Sequence, residues 1–154
     1  MAINGTKHGK RLPQPKVQQL ARFRYQLRKF LRFSERAARS AGVTPQQHQL
    51  MLGVAGFTGR GWATISQLAE FLQERHNAVV GLVERARRAG LVTKNAAEQD
   101  RRVVRVELTL RGRRVLEKLS GIHHSEVRRF QRRALGVELP GGRIPREPDE
   151  KSSR

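Results

Sequence analysis

The chain has no cysteine among its 154 residues. That excludes disulfides, thiolate metal sites and any cysteine-based peroxide sensor. It has one Trp and one Tyr, too few for the aromatic clusters on which RNA-binding sheets stack bases. No apolar run approaches the ~20 residues that span a bilayer. The opening MAINGTKHGKRLPQPK lacks the apolar stretch of a secretory signal, so a cytoplasmic location and no membrane partner are expected. Acidic residues are scarce: 13 Asp and Glu stand against 32 Lys and Arg, for a net charge of +19. A chain this basic binds polyanions, of which nucleic acid is the commonest, although Arg-rich solubility alone gives the same composition.

Chemistry is equally thin. Of the five histidines, His123 and His124 are adjacent and so point to different faces of a helix, while His48 stands alone. No carboxylate lies four residues from any of them, so neither a metal nor a cofactor is expected. No Ser, His or acidic residue sits in a nucleophile setting, and an enzyme is not expected.

What the chain does have is amphipathic order, centred on Thr64 to Leu108. Ile65, Leu68, Ala69 and Leu72, then Val79, Leu82, Val83 and Ala86, follow the i, i+3, i+4 spacing of one helix face. The polar QERHN between them is long enough only for a turn. Gly90 stops the second helix, and Leu91–Lys94 reads as a strand. The polar loop NAAEQDR leads to a second strand in which Val104, Val106 and Leu108 alternate with Arg105 and Glu107. This is a helix-turn-helix followed by a two-stranded wing, whose second helix is free to enter a major groove.

Around that unit lie three further parts. Residues 1–15 read as a flexible basic arm. From 16 to 41 a long helix carries Leu20, Phe23, Leu27, Phe30, Ser34, Ala37 and Ala41 at alternating steps of three and four, a stripe that needs a partner. Thr44 and Gln47 form a capping box with Pro45 at the first helical position, and Thr64 and Gln67 form another. GVAGFTGRG between these boxes reads as a loop, and Trp62 as a plug at the domain edge. Thr109 caps a last helix to about residue 135, with Leu110, Val115, Leu116, Leu119, Ile122 and Val127 on its apolar side and Gly121 able to bend or split it. The Pro- and Gly-rich 136–154 reads as a disordered tail.

Asp100-Arg101-Arg102, then Leu108-Thr109 and Gly112, resembles the D-x-R … L-T-x-x-G wing signature of the MarR family of bacterial transcriptional regulators. The order GVTPQQHQLML, TISQLAEFLQERHNAVVGLVERARRAGLV and DRRVVRVELTLRG extends the likeness from about Leu20 to Arg133. The resemblance implies a mainly α fold with a small β-wing (α+β), a MarR-like domain over 16–135. Its winged helix-turn-helix would span about 44–108, between dimerisation helices at about 16–41 and 109–135. It further implies a homodimer on a pseudo-palindromic double-stranded DNA site, acting as a regulator and most often a repressor. A small-molecule effector would sit between the lobes near Phe30, Phe33, Met51, Leu52 and Trp62.

On the DNA side, Arg75, His76, Asn77 and Val80 begin the recognition helix and avoid its buried stripe. Arg75 can bridge guanine O6 and N7, and Asn77 can pair with adenine. Equally, Asn77 or Glu74 can cap the helix instead. Arg102 matches the family's wing arginine and suits a narrow minor groove. Arg101 is a phosphate contact or solvated, and Asp100 pairs with an arginine to shape the wing. Arg87 and Arg88 lie toward phosphate or face water. The competing reading is a sequence-indifferent architectural or nucleoid-associated protein, for which the charge alone suffices.

Overall fold

The computed structural model describes residues 14–97 and 100–136. Most of the expected arm, and the tail beyond Gly136, lie outside the described residues. The elements run α1 (Gln14–Ser40), α2 (Pro45–Leu52), β1 (Trp62–Thr64), α3 (Ile65–Leu72), α4 (His76–Arg88), β2 (Val92–Ala96), β3 (Val104–Leu108) and α5 (Leu110–Leu135). The fold is mainly helical with one small antiparallel sheet.

The apolar stripe of α1 packs on α5. Phe23 and Phe30 place their ring centroids 6.0 and 5.6 Å from that of Phe130, and Phe33 lies 5.4 Å from His123. Early residues of α1 meet late residues of α5, so the two helices run antiparallel. Gly121 does not split α5, which continues to Leu135 before Gly136 (φ +64°) closes it. Leu110 is a correction: it stands 65 % exposed at the start of α5, outside the packed side.

Both capping boxes form. Thr44 Oγ1 accepts from the Gln47 amide and Gln47 Oε1 from the Thr44 amide, at 3.1 and 3.0 Å. Thr64 and Gln67 repeat the exchange at 3.2 and 3.0 Å. The stretch GVAGFTGRG departs from expectation. The chain stays helical through Gly53–Phe57 as a π-helical turn, and becomes a loop only at Thr58. The cause is tertiary: a Cβ on buried Gly53 would come within 2.6 Å of Phe71 Cδ1 and 3.1 Å of Leu68 Cδ2, so α3 presses on bare backbone.

The wing has three strands, not two, in the order β1-β3-β2. β1 pairs with the second edge of β3, placing Ala63 opposite Val106 and Trp62 opposite Glu107. Ala63, Val106 and Leu108 are buried on the inner face. Because side chains alternate along a strand, Trp62, Arg105 and Glu107 take the outer face.

The wing signature works as a clasp. Thr109 Oγ1 donates to the Gly90 carbonyl at 2.6 Å and accepts from the Gly112 amide at 3.0 Å, while the Thr109 amide donates to the Leu91 carbonyl at 3.0 Å. Gly112 is buried against Leu91, and a Cβ there would overlap the Leu91 carbonyl oxygen. Thus the end of α4, the start of β2 and the start of α5 meet at one point. Beneath it a single core joins Leu50, Met51, Val54, Leu68, Val83, Val92, Leu116 and Leu119.

Candidate nucleic-acid interface

Helix α3 ends at Gln73 in the left-handed region (φ +54°), a conformation that residues other than Gly seldom take. Gln73 Nε2 donates to the Glu70 carbonyl at 2.7 Å and braces the turn. Arg75 is the N-cap of α4, with extended backbone and no side-chain capping bond. The alternative in which Asn77 or Glu74 caps the helix is therefore not what the structure adopts. The first-turn amides of α4 stay free, at the positive end of the helix dipole.

Arg75, His76, Asn77 and Val80 are all exposed. Val80, an apolar side chain 43 % exposed on a helix whose other valines are buried, has no core role. His76 and Val80 share a cleft of about 400 Å³ with Thr64 and Ser66 at the start of α3 and with Lys94 and Arg102 of the wing. Arg75, Asn77 and Arg101 do not line that cleft and lie outside it on the surface.

Asp100 shapes the wing through backbone rather than through an arginine side chain. Its Oδ1 accepts from the Arg102 amide at 2.9 Å, and its carbonyl from the Val103 amide at 3.0 Å. Among the described residues its side chain forms no ion pair. This turn aims Arg102 back toward α4.

One residue the sequence reading missed holds the two halves together. Glu84, on α4, receives Arg87 at 2.7 Å, Arg88 at 3.5 Å and Lys94 of β2 at 3.3 Å. Hydrogen bonds from Arg87 and Lys94 pull its pKa down to about 2, and Arg87 is raised in turn. So Arg87 and Arg88 gather on a carboxylate, an arrangement not anticipated. The only sequence signal was the i, i+3 and i+4 spacing of Glu84, Arg87 and Arg88.

Of the five residues suggested for an effector, Phe30 and Phe33 share a neighbour, and none of the five lines the cleft beside the wing or a second cleft. Met51 is fully buried, Leu52 packs on the core, and Phe30 and Phe33 turn toward His123. Trp62 takes the outer face of the sheet, where Arg60 and Arg105 stack on its ring. The second cleft, also about 400 Å³, opens between α1, α2 and α4, with Leu31, Glu35, Gln49, Leu82 and Arg85 on its walls.

His48 does not stand alone either. Its ring lies 4.7 Å from that of His123, which is itself held by Ser34 Oγ at 2.8 Å and the Leu119 carbonyl at 2.7 Å. Both nitrogens of His48 are buried without a hydrogen-bond partner, and burial, with the charge of His123 second, lowers its pKa to about 4. Among the described residues no group of three or more His, Cys, Asp or Glu could hold a metal, and no helix is long and apolar enough to cross a membrane.

Three short helices, the third with an exposed N-terminal turn, and an antiparallel wing define a winged helix-turn-helix fold. The MarR family model matches residues 41–103, the segment that holds α2 through β2 and stops just before β3. Similar solved structures span more of the chain. AbsC, a MarR family transcriptional regulator from Streptomyces coelicolor, is 20 % identical over 79 % of this chain and 82 % of its own, with a TM-score of 0.67. A MarR family protein from Bacillus stearothermophilus is 20 % identical over 79 % and 83 %, with a TM-score of 0.65. A point mutant of MepR from S. aureus, bound to an oligodeoxyribonucleotide, is 20 % identical over 66 % and 73 %, with a TM-score of 0.58. No curated protein matches the chain by sequence. The resemblance read from the wing signature is borne out, and the fold is that of the MarR family regulators.

Proposed function

We propose that the protein is a sequence-specific, DNA-binding transcriptional regulator, acting as a homodimer on a pseudo-palindromic operator, most simply as a repressor. The observation that carries this reading is the cleft joining His76 and Val80 of α4 to Arg102 of the wing, with exposed Arg75 and Asn77 beside it. A recognition helix meets base edges with its N-terminal residues, and a wing arginine reaches the flanking minor groove. In this reading residues 16–41 and 109–135 serve as dimerisation helices, and their exposed Leu20, Ile122 and Leu135 support it. An effector would occupy the cleft between α1, α2 and α4 and release DNA only by preferring the DNA-incompetent state.

The net charge of +19 favours a second reading, a sequence-indifferent architectural protein. An anisotropy titration separates the two, using DNA from upstream of the protein's own gene against a scrambled duplex at several salt concentrations. A regulator prefers its site by about 10³ or more at physiological salt. Equal, salt-labile binding to both duplexes, repeated across genomic fragments, would overturn the regulatory reading.

A further inference from the structure

The single Trp of the chain carries two cations. The guanidinium carbons of Arg60 and Arg105 lie 3.8 and 4.3 Å from the Trp62 ring centroid. At that separation each is in stacking contact, held by the ring's electron-rich face. Arg60 also donates to Gln67 Oε1 at 3.1 Å, the oxygen that accepts from the Thr64 amide, so the N-terminal cap of α3 fixes its position. The buried Nε of Arg105 has no hydrogen-bond partner. Among the described residues neither guanidinium forms an ion pair, although Glu107 lies opposite Trp62.

Two like charges on one ring repel, and a pair left to solvent would separate. Their stacking instead keeps both at one aromatic side chain, with a single N–H of Arg60 given to Gln67 and no carboxylate neutralising either cation among the described residues. That arrangement suits an anion able to accept several bonds from guanidinium forks, and a phosphodiester does so.

The cluster's position names the source. Lys94 turns to α4 and Glu84 on the inner face of the sheet, whereas Trp62 and Arg105 take the outer face. With α4 in a major groove and the wing at the next minor groove, that outer face looks along the duplex, away from α4, to the backbone beyond. We propose that Arg60 and Arg105, stacked on Trp62, clamp one DNA backbone phosphate outside each half-site. The clamp adds a sequence-independent contact and lengthens the footprint. It rests on the DNA-binding reading above, but not on sequence preference.

The test uses the full chain and two pairs of duplexes, upstream and scrambled. One of each pair ends at the wing's minor groove, and the other is extended by about half of the ~10.5-bp turn at both ends. The variant Arg60→Ala/Arg105→Ala should bind the long duplexes with a salt slope shallower by about 0.9 per clamp lost, near 1.8 for a dimer, and the short ones unchanged. Arg60→Gln/Arg105→Gln, which keeps polar stems over the ring, should match it, and Arg60→Lys/Arg105→Lys should restore the slope. Unchanged slopes on the long duplexes, or equal losses on both lengths, overturn the clamp. So does a wild type that binds no duplex. A length-dependent loss seen equally on upstream and scrambled DNA upholds the clamp, whereas absence of operator preference defeats only the regulatory reading.

Discussion

His48 is a base buried where its cation has no solvation. The neutral ring is favoured in the fold, with a pKa near 4 against 6.5 when exposed. Below the unfolded value the unfolded chain binds the proton more readily, so stability is highest above about pH 6.5 and falls as pH drops toward 4. Thermal unfolding between pH 4 and 8 should show that fall in the wild type and a flatter profile in His48→Leu, which also removes two unsatisfied nitrogens. An equal pH dependence in both proteins would assign the effect elsewhere. Gly112 is the opposite case, a position set by space. Gly112→Ala drives a methyl into the Leu91 carbonyl, and overpacking of this kind costs about 1–3 kcal/mol. A denaturation midpoint equal to wild type would show that the clasp yields. The glycine was legible as part of a motif, but its neighbour was not, because Leu91 lies two strands and a loop away from it in the chain.

At the level of elements, the Glu84–Lys94 pair links α4 to the wing beside the cleft that Lys94 lines. The lowered pKa of Glu84 makes this tie complete above about pH 4.5 and lost only as pH falls toward 2. Within that frame Arg102 and Asn77 should behave differently. Arg102→Ala is expected to weaken operator and scrambled DNA alike, because a guanidinium in a narrow minor groove responds to potential. Asn77→Ala should cost about 1–3 kcal/mol on the operator and little on scrambled DNA. A changed base preference at undiminished affinity in Arg102→Ala would sink the first assignment. Helices, caps and the main wing strands were legible because periodicity and capping are local. β1 and the π-helical turn were not, since Ala63 and Gly53 are placed by Val106 and Phe71 from elsewhere in the chain. The effector residues were drawn from family likeness alone, which carried no information about which side of α2 or of the sheet each one occupies.

For the whole molecule, the unresolved demand is the apolar side of the long helices. α1 and α5 cover each other through Phe23, Phe30 and Phe130. Yet Leu20 remains 62 %, Ile122 43 % and Leu135 54 % exposed. Burying a side chain of this size is worth about 1.5–3 kcal/mol, and a two-fold interface counts each residue twice. That favours a second copy over solvent even in a chain whose charge of +19 opposes self-association. Leu20→Glu, alone or with Ile122→Glu, should therefore shift the protein to monomer in sedimentation at micromolar concentration. Operator affinity should fall by about 100-fold or more, because the second half-site then binds as a separate event. The salt slope should drop toward half, since phosphates on one half-site only are neutralised. A wild type that sediments as a monomer, or a monomeric variant with undiminished operator affinity, would remove the two-fold arrangement and leave each chain to read its half-site alone.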